Sequence, residues 1–466
     1  MGSSSMQISR RFSGARSGVA AGALGLVLCA AGAGCSSSSD PASPPAMTGP
    51  DATSSAPGAD ASGETMTDAA GTTGAEDGLD AGDGALPTCI TPPSAQACAA
   101  PEMTALPICK LGLTGCMDPT HPTSFVASAI RYEVNSPLWS DGAAKSRAFI
   151  LPPGGKIHVK DCAPDAGTAM AADCTSPMGI PNGAADTGRW EFPVGTVMLK
   201  SFVVDGKVIE TRLLMRVDAA TAALIQNGTD WVGYNYAWNE AQTEATLVPD
   251  ARTAVSFDTG KRTVSWNYPS FLDCVGCHNA AVGTLGPEDD QMNRVVDGGN
   301  QIDTFVAMGL FDTTAPRKPY PAALVEPYAN ADLGLAGPPA GATVDQEARS
   351  YLAANCGFCH RPDVNDQGFD LRPGLTLQQT GLCGLVQQNG IPGMTGANLL
   401  ELAPGDHAHS ALWIRMNTPV PASDPNETND VGRMPPVASF VVDSQAADLV
   451  GRWIDGVTGC GADAGR

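Results

Sequence analysis

The chain has 466 residues, with 49 acidic against 27 basic side chains and a formal net charge of −22. This balance offers no Lys/Arg patch for phosphates, which excludes a nucleic-acid-binding role, and it would be repelled by an anionic membrane surface. Its simplest consequence is solubility; steering of a basic partner is a second.

At the N-terminus, Arg10, Arg11 and Arg16 precede a short apolar run from Val19 to Ala33. The run is too short and too glycine-rich for a stable span, so residues 1–35 read as a cleaved export signal. It ends at Gly32-Ala33-Gly34-Cys35, which resembles a bacterial lipoprotein processing site with Gly32 in place of the usual Leu, making Cys35 a lipid-anchor candidate. Residues 36–86 are Ser, Pro, Gly, Ala, Thr and Asp with almost no large apolar side chain, and read as a disordered linker.

Residues 87–129 are rich in Cys and Pro and form a disulfide-held collar. Residues 130–268 read as a β-rich domain. Ala148–Leu151, Lys156–Val159, Val197–Val204 and Lys207–Met215 are its strand runs, and Asp205-Gly206 is a hairpin turn. After Tyr268-Pro269 the pattern turns helical, with a first region over 269–342 and a second domain over 343–462. Ile302, Phe305, Val306 and Leu310 share one helical face. Thr343 and Gln346 form a capping box for a helix that runs into Cys356, and Ser444 is placed to cap a closing helix. The expected fold is α+β and multidomain: an antiparallel sandwich-like or barrel-like β-domain, then α-helical domains.

Two pentapeptides carry the chemistry: Cys274-Val-Gly-Cys277-His278 and Cys356-Gly-Phe-Cys359-His360. Cys-x-x-Cys-His is the signature of covalent c-type haem attachment. Two thiols add across the two vinyl groups of one porphyrin, and the His that follows is placed to ligate the iron. Zinc is the alternative, but zinc-ribbon pairs lie ~15–20 residues apart and give no reason for a His after both pairs. The remaining cysteines fit an oxidising compartment. Of fourteen, Cys29 leaves with the signal, Cys35 is the lipid candidate and four hold haem, which leaves eight for disulfides. Cys162–Cys174 and Cys383–Cys460 are the expected local pairs; Cys89, Cys98, Cys109 and Cys116 admit three connectivities.

Ser136-Pro-Leu-Trp-Ser-Asp-Gly142 with Lys145, Phe192-Pro-Val-Gly-Thr196 with Lys200 and Phe202, and Trp238-Asn-Glu-Ala-Gln242 resemble segments of a family of bacterial exported dihaem c-type cytochromes. Pro269-Ser270, Asn355-Cys356 and Arg433-Met-Pro-Pro436 extend the resemblance, which covers roughly 130–456. It implies an N-terminal β-rich domain, two haem c groups with iron, and cytochrome c-like helical domains. The family is functionally uncharacterised, so it names no substrate.

His278 and His360 are the expected proximal ligands, and Met434, on a chain stiffened by two prolines, is the distal candidate for the second haem. For the first haem Met292 and Met308 are candidates, and ligation by His121, His158, His407 or His409 stays open. Asp141, Glu240 and Glu244 read as solvated carboxylates near packed aromatics rather than as a catalytic pair. The function expected is electron transfer between envelope redox partners, in the periplasm or as an outer-membrane-anchored lipoprotein. The rival is a dihaem peroxidase- or oxidase-like enzyme with an open distal site at the first haem.

Overall fold

Val197–Val204 and Lys207–Arg216 bury most of their side chains on both faces, and the two-residue link between them supplies the positive φ a tight hairpin needs: Asp205 at 53° and Gly206 at 90°. The computed structural model describes residues 89–99, 107–162, 186–225, 229–248, 253–279, 281–364, 368–387, 391, 399–419, 432–436 and 439–460, all within the compact unit Leu79–Arg466. The expected signal, Cys35 and the linker lie outside them. The described strands begin with β1 (Ile130–Arg131), β2 (Ala144–Ile150), β3 (His158–Val159), β4 (Trp190–Glu191), β5 (Val197–Val204) and β6 (Lys207–Arg216). They continue with β7 (Trp231–Trp238), β8 (Ala245–Leu247), β9 (Thr253–Asp258) and β10 (Thr263–Tyr268). A six-stranded antiparallel sheet runs in the order β1-β2-β5-β6-β7-β8.

The period of two gives this sheet distinct faces. On one, Ala148, Val197, Leu199, Leu213, Met215, Val232 and Tyr236 pack against Ile108, Leu111, Met117 and Phe125 of the Cys-rich collar. Leu199 and Leu213 are fully buried, which stabilises by about 1.5–3 kcal/mol each. Disulfides Cys89–Cys109 and Cys98–Cys116 hold the collar in place, and so select one of the three connectivities. The opposite face carries Phe149, Met198 and Leu214 at one end, packed with Phe305 and Trp190. At its other end Phe202 and Ile209 pack on Phe257, Trp266 and Tyr268 of the β9–β10 hairpin.

The described helices are few and short. They are α1 (Ala219–Ile225), α2 (Phe271–Cys277), α3 (Asp289–Met292), α4 (Gln301–Ala307), α5 (Val344–Asn355), α6 (Leu377–Thr380), α7 (Ala411–Met416) and α8 (Ser444–Gly456). The capping box of Thr343 and Gln346 opens α5 as expected. On α4, Ile302 and Phe305 are buried but Val306 is exposed, because the helix is only two turns long and rests on one edge. Asp443 rather than Ser444 caps α8; its carboxylate accepts from the Ala446 amide, and Ser444 is the first helical residue. α8 packs on α5, where the Trp453 indole donates to Asp345 at 2.8 Å.

Cys383–Cys460 is bonded as expected, with 5.3 Å between Cα atoms. Cys162 is disulfide-bonded, while Cys174, its expected partner, lies outside the described residues. Cys383–Cys460 ties α8 to a segment 77 residues away. Replacing both cysteines by Ala should cost about 4 kcal/mol on the chain-entropy account, read as a lowered urea midpoint of tryptophan fluorescence. An unchanged midpoint would contradict that role.

Candidate functional site

Ser270 starts the first motif. Its hydroxyl accepts from the Asp273 amide and the Asp273 carboxylate accepts from the Ser270 amide, so α2 begins immediately after Pro269. The helix then carries Cys274 and Cys277 and ends at His278, whose amide donates to the Cys274 carbonyl at 2.7 Å. α2 lies close against β7: a Cβ added at Gly233 would stand 3.0 Å from Cys274 Sγ. A larger residue there would press on the Cys274 side chain, which would have to give by a few tenths of an ångström. His278 Nδ1 is 2.9 Å from the Gly283 carbonyl. A carbonyl only accepts, so Nδ1 carries the proton and Nε2 keeps its lone pair for a metal. Burial pushes His278 down to about 3, which keeps the imidazole neutral.

A cavity of about 90 Å³ lies beside Cys274, Cys277 and His278, with Met198, Lys200 and Arg212 of the sheet among its lining residues. Phe358, inside the second motif, and Pro435, next to Met434, line it too. The two motifs are therefore neighbours, and Cys277 and Cys359 sit close enough to interact electrostatically.

The second motif follows α5 directly. The His360 amide donates to the Cys356 carbonyl at 2.8 Å, and its ring stacks on Phe369 at 4.4 Å between centroids. Burial pushes His360 down to about 4, and its buried Nδ1 has no hydrogen-bond partner among the described residues. The second motif differs here from the first, where the Gly283 carbonyl holds the equivalent nitrogen of His278. Met434 is partly buried and its amide donates to the Arg415 carbonyl at 3.1 Å. The motif cysteines lie outside the disulfides. Among the described residues no three His, Cys, Asp or Glu side chains gather into one metal cage. The donor chemistry of both motifs fits covalent haem.

The sheet face toward the first motif has a polar arrangement of its own. Phe149, Met198, Leu214 and Gly233 are partners across β2, β5, β6 and β7 and make an apolar rung. Two residues along, Arg147, Lys200, Arg212 and Asn235 make a cationic one. Buried Glu210 holds Arg212 through two bonds of 2.7 and 2.9 Å and also accepts from the Trp266 indole. The Lys200 ammonium makes no hydrogen bond or ion pair among the described residues; burial, with Arg147 and Arg212 beside it, lowers its pKa to about 7. Near the second motif, Asp186 is fully buried and accepts from Arg361, at 2.9 Å, and from Arg372 and Arg189. Burial alone would raise its carboxyl, but the three guanidiniums hold it below the ordinary range.

One loop ties these parts together. The Asn135 amide side chain donates to the Asp290 carbonyl, and Ser136 and Gln291 exchange two bonds of 2.8 and 2.9 Å. The Trp139 amide donates to Asn355 Oδ1, immediately before Cys356, at 2.6 Å, while its indole donates to the Val441 carbonyl. Asp141, at φ 47°, accepts from the Phe440 and Val441 amides and the Ser439 hydroxyl, at 2.7–3.0 Å. The neighbouring Arg433 is buried and donates to the Phe440 and Val441 carbonyls. Asp141 is thus a half-buried structural acceptor and not a solvated turn carboxylate. Glu240 is exposed, and Glu244 caps the amides of Gly112 and Ala245, so no carboxylate pair forms.

The other sequence candidates lie elsewhere. Met292 is fully buried in the core with Ile302 and Phe305, and Gln301 donates to its sulfur; Met308, expected to pack beside Phe305, is 53% exposed at the end of α4. Neither lines the cavity. His121, His158, His407 and His409 pair with Asp118, Asp312, Asp455 and Asp406. The sequence reading missed Met198, Arg147 and Arg212 as cavity groups. The available signal was a Lys and two Arg at inward positions of otherwise apolar strands. Compared with protein-family models, curated proteins and solved structures, the chain gives no match.

Asp141→Ala would strand three donors beside buried Arg433. It should cost about 3–5 kcal/mol in urea unfolding and remove hydrogen-exchange protection at Phe440 and Val441. Retained protection at both amides would show that Asp141 does not hold the segment.

Proposed function

We propose that the protein is an exported dihaem c-type cytochrome that passes electrons between envelope redox partners, as its sequence resemblance implies. Cys274 and Cys277 would hold one haem with His278 as ligand; Cys356 and Cys359 would hold the other with His360 and Met434. Bound haem iron supplies a reversible one-electron couple. The observation that carries the reading is the adjacency of the two motifs: Phe358 lines the cavity of the first, and the Cys277 and Cys359 thiols lie near each other. The chain's own part is to hold both groups in one rigid frame. α5 packed on α8 supports a cytochrome c-like arrangement around the second motif, and the β-rich domain supports a sandwich-like or barrel-like mount for the first.

Export, a lipid anchor at Cys35 and a periplasmic electron donor or acceptor complete the proposal. Disulfides agree with an oxidising compartment. Among the described residues no helix is long and apolar enough to cross a membrane. A second reading, a peroxidase- or oxidase-like haem enzyme, is favoured by one observation. The cavity beside His278 contains Lys200, an amine able to handle a proton next to an open volume.

Acid–acetone extraction should leave the colour with the protein, and its mass should exceed the mature polypeptide by two haems. Colour lost wholly to the organic phase would refute covalent attachment. Met434→Ala should abolish the sulfur-to-iron absorption band and lower one of the two reduction potentials, leaving the other within error. An unaltered spectrum would assign that ligand elsewhere.

A further inference from the structure

The cationic rung is anomalous as a piece of sheet. Like charges directly opposite each other on neighbouring strands destabilise the pairing, and buried charges in folded proteins are ordinarily paired. Here Arg147 stands opposite Lys200, and Lys200 opposite Arg212; Lys200 and Arg212 line the cavity of the first motif, and Arg147 and Lys200 line the one adjoining it. The carboxylates within reach do not balance them. Glu210 is committed to Arg212 and the Trp266 indole. Glu133 is 3.9 Å from Arg147, with its side chain half exposed. Asp273 is used in the capping box of α2, and Asp186 is taken by three arginines. Glu288 lines the adjoining cavity, of about 70 Å³, which Lys200 and Arg147 share with Arg361 and Arg372. The balance on this wall is positive in a chain whose overall charge is −22.

We propose that Arg147, Lys200 and Arg212 form a carboxylate-binding site centred on Lys200, where the cavity of the first Cys-x-x-Cys-His motif meets the adjoining one. Arg147 and Arg212 offer planar guanidinium donors and Lys200 a point charge between them, a set suited to one or two carboxylates approaching from the cavity. Met198 and Leu214 of the apolar rung line the same cavity and suit a ligand with an apolar body and an acidic edge. Two sources share that chemistry: the carboxylates of the porphyrin attached at Cys274 and Cys277, or a small organic acid entering from solvent. The first source rests on the haem reading above; the second does not.

The test uses the full exported protein with Lys200→Met, which keeps the length of the side chain, and Lys200→Arg, which keeps the charge. Haem is counted per chain, thermal unfolding verifies the fold, each reduction potential is measured, and acetate is titrated by calorimetry. If the porphyrin supplies the carboxylates, Lys200→Met lowers one potential, Lys200→Arg restores it, and acetate gives no heat in the native protein. If a free acid is the ligand, acetate binds the native protein saturably, and affinity falls about tenfold or more in Lys200→Met but not in Lys200→Arg. Potentials unchanged in Lys200→Met together with a flat native acetate titration would overturn the site. A native protein lacking haem at the first motif would instead count against the haem reading, and the acetate titration would still decide the rung.

Discussion

Asp141 carries the constraint on which the rest of the arrangement depends. Its carboxylate takes three donors from residues 439–441, next to buried Arg433, and so fixes the chain on which Met434 stands. Two residues earlier the Trp139 amide is held by Asn355, at the entrance to the second motif. Ser136 and Gln291 repeat the device toward the segment after the first motif. A short stretch of β-domain loop therefore sets the positions of both motifs relative to the sheet. Charge-assisted bonds in a site away from water are the strong kind, and their loss leaves several donors stranded at once.

The sheet explains why the first motif needs this frame. Its collar face is closed by apolar packing and two disulfides, which leaves the opposite face to meet α2 and its cysteines. Gly233 lets α2 approach closely, and the paired apolar and cationic rungs give the cavity an amphiphilic wall. That wall is costly without a ligand and suited to one that is apolar with an acidic edge. Surface and interior thus carry opposite electrostatics: an acidic exterior, and a cationic lining around the motifs.

Features set by neighbours in sequence were legible before the structure. The Asp205-Gly206 hairpin, the Thr343–Gln346 capping box and the Cys383–Cys460 pair all follow from short-range chemistry or from counting. Features set by distant partners were not. The partners of Asp141 lie 298–300 residues away, so the sequence offers only a turn-like Asp-Gly. Val306 and Met308 look like core because helical periodicity ignores where a two-turn helix ends. Met198 and Lys200 alternate correctly, but periodicity does not say which sheet face meets the motif. The cysteines and histidines of the site were legible; the wall they face was not.

The central claim is that two haems are held side by side by adjacent motifs. Electron paramagnetic resonance of the fully oxidised protein tests it, comparing the native chain with Cys356→Ala/Cys359→Ala and with Cys274→Ala/Cys277→Ala. Adjacent irons predict that each ferric signal relaxes faster, or broadens, in the native protein than in the variant that lacks its neighbour. A native spectrum equal to the sum of the two single-haem variants, with unchanged relaxation, would contradict the arrangement.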